Sequence, residues 1–262
     1  GGLGEVENLK AESFHGDSRF DFSFTKDETQ PITSVREYAF NCDGVVEVIN
    51  IGPGVLEIDG KSFYSCWALQ RIEVDENNPN YCDLDGVLYS KDMKTLICYP
   101  PNHDQYLRTK FGYETEPYRA DSTEEYIRDV QTYVVPSTVE TIGELAFAGC
   151  TSLEKIEIPA SVTYIDKYAF YGCSATNFGG EFYDLVIPEG TEYIGRSAFY
   201  NCKSLTKINV PYGVTSIDAY TFDGCESLTY IELPDSITFI GDDAAAAVGL
   251  QALCSALQQG VG

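Results

Sequence analysis

Apolar and polar positions along the chain repeat with a regular spacing. Four segments share a phrase of the form [AT]-F-x-x-C, and three of them continue into an alternating apolar run that ends at proline. The four segments are TIGELAFAGCTSLEKIEIP, YIDKYAFYGC, YIGRSAFYNCKSLTKINVP and SIDAYTFDGCESLTYIELP. Their phenylalanines lie 23, 29 and 23 residues apart, at Phe147, Phe170, Phe199 and Phe222. The longer step contains SATNFGGEFYD after Cys173, which we interpret as a loop insertion.

A period near 23 residues predicts one solenoid coil per repeat. Within a coil, L-x-x-I-x-[IV]-P alternates in a way that predicts a strand, and the proline ends it. The motif V-T-x-I-[GD] predicts a second short extended piece. The A-F-x-x-C segment that follows is too short to be a stable helix alone. The coils must therefore bury their Phe, Leu and Ile side chains against one another.

The same phrase returns in weaker form at Phe40 and Phe63, so the repeat covers most of the chain. The residues that end the predicted strands are Ile51, Val74, Tyr99, Val135, Ile158, Ile187, Val210 and Leu233. About eight such strands would form one parallel sheet. We predict an α/β repeat solenoid, rich in β-structure, with one parallel concave sheet and short helical turns on the outer side.

The segments IPASVTYIDKYAFYGC and VPYGVTSIDAYTFDGCESLTYIELP closely resemble the BspA-type leucine-rich repeat, also called the Treponema pallidum type. The resemblance runs from Ile32 to Gly241. It implies surface-exposed or secreted proteins of bacteria and some protists that adhere to host proteins or other cells, and it implies no enzymatic activity. The segment DLDGVLYSKDMKTLICYPP looks like the hairpin-bearing coil of that family, and Asp85-Gly86 suits a hairpin turn.

The predicted organisation has three parts. Residues 32–241 form the solenoid, with the hairpin coil at 83–101 and an insertion at 103–132. Residues 1–31 form an N-terminal cap, in which RFDFSF alternates like a strand. Residues 242–262 have an abrupt change to Ala, Leu and Gln, which fits either a helical cap or a tail foreign to the natural protein.

Charge narrows the classes of partner. The chain has 17 Lys+Arg and 41 Asp+Glu, a net charge of −24. Such a surface disfavours nucleic acids and anionic membranes. No apolar stretch approaches the ~18 residues of a membrane helix, so no membrane insertion is expected. The N-terminal GGLGEVENLK does not resemble a signal peptide, and the predicted location, cell surface or secreted, rests on the family resemblance.

Candidate catalytic chemistry is sparse. Two histidines, His15 and His103, leave little for histidine-based metal sites or for Ser-His and Cys-His catalysis. We therefore predict no catalytic, cofactor-binding or metal-binding residues and no cofactor. One oxygen-rich run could supply calcium ligands, although an acidic turn between coils explains it better. The run comprises Asp75, Asn77, Asn78, Asn80, Asp83 and Asp85.

Six of the nine cysteines occupy one repeat position just before the strand. They are Cys42, Cys66, Cys150, Cys173, Cys202 and Cys225. Repetition indicates a structural role, with each thiol buried and donating to a backbone carbonyl of a neighbouring coil. Of the others, Cys82 and Cys98 could instead form a disulfide that closes the hairpin coil. Trp67, the sole tryptophan, follows Cys66, one of these six cysteines. At that position we favour packing of the indole between coils over stacking on a ligand.

The outward positions of the strands predict a binding surface on the concave face. One column is Asn50, Glu73, Val134, Glu157, Val186, Asn209 and Glu232. The other is Val48, Arg71, Thr132, Lys155, Asp184, Lys207 and Tyr230. Both columns mix charged, amide and apolar groups, which favours an extracellular or host protein as partner. A carbohydrate-binding module or glycan-directed enzyme, and a structural spacer of a larger surface protein, remain alternatives, and the oligomeric state stays open.

Overall fold

The chain forms a β-solenoid of about eight turns with coils of about 23 residues, as predicted. The computed structural model describes residues 5–6, 19–21, 32–40, 46–113, 130–153, 155–173 and 185–245. The strands are β1 (Glu5–Val6), β2 (Arg19–Asp21), β3 (Ser34–Val35), β4 (Val48–Ile51), β5 (Glu57–Ile58), β6 (Arg71–Val74), β7 (Tyr81–Leu84), β8 (Val87–Ser90), β9 (Thr95–Cys98), β10 (Thr132–Val134), β11 (Thr141–Ile142), β12 (Lys155–Glu157), β13 (Tyr164–Ile165), β14 (Tyr193–Ile194), β15 (Lys207–Asn209), β16 (Ser216–Ile217), β17 (Tyr230–Glu232) and β18 (Phe239–Ile240). The described residues contain one α-helix, α1 (His103–Phe111), and a 3-10 helix at Gly60–Phe63.

The L-x-x-I-x-[IV] strands pair in parallel, and we call them the first ladder. Its hydrogen-bonded sets are β2–β4–β6, β10–β12 and β15–β17, with a single bridge between Leu185 and Ile208. Each register joins residues one period apart, as in Ile49 opposite Ile72. The strand expected at RFDFSF is present as β2, which pairs with β4 and so extends this ladder toward the N-terminus.

The V-T-x-I-[GD] pieces form a second ladder, in which the strands have two residues each except the four-residue β9. In it β1, β3 and β5 pair in parallel, as do β9, β11, β13 and β14, and β16 pairs with β18. Its inward residues, such as Ile142 and Ile165, lie opposite each other and are buried. Each coil therefore closes around its core with one strand on each of two sides.

The phenylalanines of the A-F-x-x-C segments stack in the core at the coil spacing. Phe147, Phe170, Phe199 and Phe222 are buried, and neighbouring ring centroids lie 5.2, 5.1 and 5.6 Å apart with nearly parallel planes. Neighbouring strands of a sheet lie about 4.7–4.9 Å apart, close to these ring separations, so one ring per coil fills this layer. The repeat spacing in the sequence is thus the spacing of an aromatic column.

Turns rather than helices flank most of these phenylalanines. The residue two before the phenylalanine adopts a left-handed backbone in five coils, for example Tyr168 with φ 58°. The residue two after it does so as well, as Gly172 with φ 66° and Asn201 with φ 58° show. Two left-handed residues so close together interrupt helical geometry, which is why the outer side consists of tight turns with the 3-10 helix as the described exception.

The hairpin coil breaks the regular stack. Strands β7, β8 and β9 pair antiparallel, and β9 then joins the second ladder through Leu96 opposite Ile142. Expecting Tyr99 to end a first-ladder strand was wrong. Tyr99 instead takes the place of the repeat phenylalanine, and its ring stacks on that of Phe147 at a centroid distance of 5.5 Å. The reason is that the residues which form the first-ladder strand in other coils belong here to the antiparallel hairpin.

Strand β8 separates two apolar clusters. Leu88 packs with the coils around Phe40 and Phe63, whereas Val87 and Tyr89 pack with the coils that contain Phe147 and its successors. The alternation of side chains along a strand places neighbours on opposite faces. The hairpin coil is therefore shared by both parts of the core.

The cysteine ladder is confirmed wherever the structure describes it. Cys66, Cys150, Cys173, Cys202 and Cys225 are buried, and each thiol lies beside a backbone carbonyl oxygen of an adjacent coil. Cys42 and Cys254 lie outside the described residues. The disulfide between Cys82 and Cys98 is not formed. These two residues belong to different clusters, since Cys82 packs with the Phe147 side of the core and Cys98 with the Phe40 side.

Candidate functional site: the face of the first ladder

The register of the first ladder aligns the two predicted outward columns. Thr132 lies opposite Lys155 and Val134 opposite Glu157 in β10–β12. Lys207 lies opposite Tyr230 in β15–β17, where Asn209 also faces Glu232. In the N-terminal coils, Val48 and Asn50 of β4 face Arg71 and Glu73 of β6. The columns predicted by aligning the repeats of this chain with one another are therefore real columns of neighbouring side chains within each set of paired strands.

Most of these positions reach the surface. Val134, Val186 and Tyr230 are 60%, 61% and 49% exposed, which is high for apolar side chains. The exposed charged positions are Lys155, Glu157, Lys207 and Glu232, and the partly exposed ones are Asn50, Arg71, Glu73, Thr132 and Asn209.

Two predicted positions are not among these surface residues. Val48 is only 4% exposed, so its placement on the open surface was wrong. Strand alternation gives the side of the sheet to which a residue points, but not whether other chain segments cover that side. Asp184 lies outside the described residues.

Neighbouring side chains on this face pair with each other. Lys155 Nζ lies 2.6 Å from Glu157 Oε1 on the same strand, and Arg71 Nε lies 2.8 Å from Glu73 Oε1. Lys207 Nζ sits 5.2 Å from the ring centre of Tyr230 on the adjacent strand. Such exposed pairs contribute at most about 1 kcal/mol each. They can exchange for contacts with a partner at small cost.

Asn209 links two strands of the face. Its side-chain amide donates to the carbonyl oxygen of Ile187 at 2.9 Å and accepts from the amide of Ile187 at 3.1 Å. The segment around Val186 has a single backbone bridge to β15. The two hydrogen bonds between the Asn209 side chain and the Ile187 backbone therefore continue the ladder there. Asn209 has a structural role beside its place in the column.

The oxygen-rich run from Asp75 to Asp85 serves backbone hydrogen bonds. Asn78 is completely buried, and its amide donates to the carbonyl oxygens of Gly52 and Val55 at 2.8 and 2.9 Å. Asp83 accepts from the amide of Val74 at 2.8 Å. Among the described residues no group of three or more His, Cys, Asp or Glu side chains could hold a metal ion.

A second surface feature was missed by the sequence analysis. Trp67 is 43% exposed and borders a cavity of about 360 Å³. The indole does pack between coils, since it meets Tyr64 edge-on at 6.3 Å and lies directly against Gly149. Packing and exposure therefore coexist at Trp67, and the sequence carried no signal for the cavity because its walls come from distant segments.

Within the described part of the chain, no helix is long and apolar enough to cross a membrane.

Comparison with known families identifies the repeat. The profile of the BspA type leucine rich repeat region matches six copies, over residues 5–85 and 125–244. The chain belongs to the BspA-type leucine-rich repeat family. The match begins at residue 5, in agreement with the pairing of β1 and β2 to the ladders. A search of curated protein sequences finds no match.

Solved structures share this fold. A leucine-rich repeat protein from Eubacterium ventriosum has 24% identity and a TM-score of 0.57, over 90% of this chain and 64% of that one. The pneumococcal vaccine antigen PcpA has 17% identity and a TM-score of 0.56, over 89% of this chain and 64% of that one. The chain thus spans less than two thirds of either structure. At these identities the likeness concerns the fold.

Proposed function

We propose that this chain is a recognition module of a cell-surface or secreted bacterial protein, and that it binds a protein partner through the face of the first ladder. The observation that carries the proposal is the exposure of Val134, Val186 and Tyr230 among charged side chains on that face. Exposed apolar groups ringed by polar ones are typical of protein-binding surfaces. No catalytic role is proposed.

Membership of the BspA-type family supports the proposed location at the cell surface. The pneumococcal structure that shares the fold is a vaccine antigen, which agrees with exposure at a bacterial surface. The net charge of −24 favours partners with basic or neutral surfaces over nucleic acids. The partner itself is expected to be an extracellular or host protein.

The test is a binding screen of the whole chain against immobilised extracellular-matrix proteins, with salt titrated because long-range attraction weakens as salt rises. We expect saturable binding that persists at moderate salt. The triple variant Lys155→Ala, Lys207→Ala, Tyr230→Ala should weaken that binding at least about tenfold, since aromatic and cationic anchors dominate such interfaces.

A matched control is available off the face. Lys94 and Lys203 are 54% and 53% exposed and ion-paired like Lys155, and Tyr212 is 69% exposed. Replacing these three by alanine changes the charge by the same amount and should leave binding unaltered. Equal loss in both triple variants would refute the first-ladder face as the binding surface, and absence of any binding would favour the spacer alternative.

A further inference from the structure

The cavity beside Trp67 has the dimensions of a small-ligand site. Its volume of about 360 Å³ lies in the range of ~300–1,000 Å³ typical of ligand pockets. It forms where the hairpin coil interrupts the stack, so that four separate segments meet there. It is lined by Trp67, Pro101, Asn102, Asp104, Gly149, Thr151, Ser152, Tyr171 and Gly172. We call it the Trp67 cleft.

The aromatic wall of the cleft is held in place by its neighbours. Tyr64 meets Trp67 edge-on at 6.3 Å and Tyr171 edge-on at 6.0 Å, and Tyr171 stacks on Tyr200 at 5.5 Å. Any side chain at position 149 would collide with the indole ring, so Gly149 makes room for it. The indole is therefore positioned by packing and still presents 43% of its surface to solvent.

Gly172 leaves space at another wall. A Cβ atom added there would meet nothing within 4 Å, in contrast to Gly149. The residue adopts a left-handed backbone with φ 66°, which favours glycine. The turn that carries Tyr171 thus borders the cleft without filling it.

The polar groups of the cleft combine acceptors and donors. Asp104 is 3% exposed, and its carboxylate accepts a hydrogen bond from the Ser152 hydroxyl at 3.0 Å. Asn102 and Thr151 add an amide and a second hydroxyl to the lining. None of the nine lining residues is Lys or Arg, so the cleft offers an anion no compensating charge.

These features match one class of ligand. A pyranose sugar has an apolar face of C–H groups that packs on an exposed aromatic ring, and hydroxyls at its rim that both donate and accept. We propose that the Trp67 cleft binds a neutral pyranose sugar, with the ring on Trp67 and the hydroxyls bonded to Asp104, Asn102 and Ser152. This site shares no residue with the first-ladder face and goes beyond the proposed protein recognition.

The sole tryptophan makes the test direct, because all tryptophan fluorescence arises in the cleft. The whole chain is titrated with the methyl glycosides of glucose, galactose and N-acetylglucosamine, and with methyl glucuronide as the anionic comparison. We expect a saturable change in emission for at least one neutral glycoside below about 50 mM, and at least about tenfold weaker binding of the glucuronide.

Variants locate the bound sugar. Ser152→Ala and Asn102→Ala keep the fluorophore and should weaken binding about threefold or more each. Trp67→Ala, measured by calorimetry, should weaken it at least about tenfold, whereas Trp67→Phe keeps an aromatic ring and should retain part of the affinity. Tyr212→Ala is the off-site control, and circular dichroism verifies the fold of each variant.

Two outcomes would overturn the proposal. One is that none of the neutral glycosides binds; if tetramethylammonium then binds, the cleft is assigned to organic cations. The other is that binding persists unchanged in Trp67→Ala. The triple variant of Lys155, Lys207 and Tyr230 should bind the sugar normally, so the two proposals fail separately.

Discussion

The thiol of Cys202 donates a hydrogen bond to the backbone carbonyl oxygen of Phe170, one coil earlier, at 3.0 Å. The amide of the same Phe170 donates to the carbonyl oxygen of Ala198 at 2.8 Å. Both backbone groups of this buried phenylalanine are thus satisfied by the next coil, one of them by a cysteine. The carbonyl oxygen of Phe170 also accepts from the backbone amide of Cys173 in its own coil at 3.0 Å, so the thiol is a second donor, and its hydrogen bond is worth about 1 kcal/mol.

Thiol reactivity tests this arrangement. Burial raises the pKa of the Cys98, Cys150 and Cys202 thiols above the usual value, so little thiolate forms at neutral pH. Of the cysteines that the structure describes, Cys82 is the half-buried one. We expect a thiol reagent to modify Cys82 first in the native protein, as mapped by peptide mass spectrometry, and all seven described cysteines after unfolding.

The Cys82→Ser variant is the control, and it should lose the fast-reacting peptide alone among the described cysteines. A ladder cysteine that reacts as fast as Cys82 would contradict the burial of the ladder. A cross-linked peptide containing Cys82 and Cys98 would contradict the absence of that disulfide.

The aromatic column makes Phe170 a central core residue. It is completely buried and lies between Phe147 and Phe199, with ring centroids 5.2 and 5.1 Å away. Phe170→Ala should lower the free energy of unfolding by about 3–5 kcal/mol through lost burial and the cavity left behind. Chemical denaturation measures this, with Tyr212→Ala as an exposed control that should change stability by less than about 0.5 kcal/mol. A loss below about 1 kcal/mol at Phe170 would be incompatible with the column.

The period in the sequence determined much of the fold. Because equivalent residues recur every 23 positions, the pairing of Thr132 with Lys155 follows from counting along the chain. The placement of Tyr99 could not be counted, since the hairpin coil uses its residues for antiparallel strands. A repeat pattern in the sequence predicts which residues pair in regular coils. It does not predict the pairing where one coil follows a different backbone path.

The candidate sites were predictable to different degrees. Strand alternation identified the outward columns, but it could not show that Val48 is covered. The Trp67 cleft unites Trp67 with Asp104, Ser152 and Gly172, and no local pattern relates residues so far apart. A cavity depends on how side chains from different coils fail to fill a space, which is a property of packing and not of periodicity.

Asn78 joins two coils with every hydrogen-bonding group of its side chain. The amide donates to Gly52 and Val55, and the carbonyl oxygen accepts from the backbone amides of Asn80 and Tyr81, both at 2.9 Å. Asn78→Ala would remove the hydrogen-bond partner of two backbone carbonyls and two backbone amides. The two carbonyls, of Gly52 and Val55, now accept from the completely buried side-chain amide of Asn78. We expect a loss of about 3–5 kcal/mol in the free energy of unfolding.

The adjacent Asn77 provides the matched control for Asn78. Its side chain is exposed and bonds to Asp75 within the same turn, at 3.0 Å. Asn77→Ala should therefore cost less than about 1 kcal/mol by the same measurement. Similar losses in the two variants would show that the turn, and not the buried amide, stabilises this coil.

His103 gives the fold a dependence on pH that can be isolated. The ring is buried at the start of α1, and Nδ1–H donates to the carbonyl oxygen of Gln70 at 2.7 Å. Burial lowers the pKa of His103 to about 4, against about 6.5 in an unfolded chain. Between these values the unfolded state binds a proton that the folded state does not. The free energy of unfolding therefore falls as pH falls from about 6.5 to 4, by about 3 kcal/mol in all from this residue.

The measurement is denaturant unfolding from pH 8 to pH 4 for the natural sequence and for His103→Gln, whose amide can donate to Gln70 but does not titrate. At pH 8 the variant should be the less stable protein, because it loses the contacts of the imidazole with Tyr99 and Tyr106 at 4.9 and 5.3 Å. As pH falls below about 6.5 the variant should gain on the natural protein by about 3 kcal/mol. The acidic residues are common to both chains, so their titration cancels in the difference. A difference that stays constant with pH would mean that His103 is accessible to protons in the folded protein, and would contradict its burial.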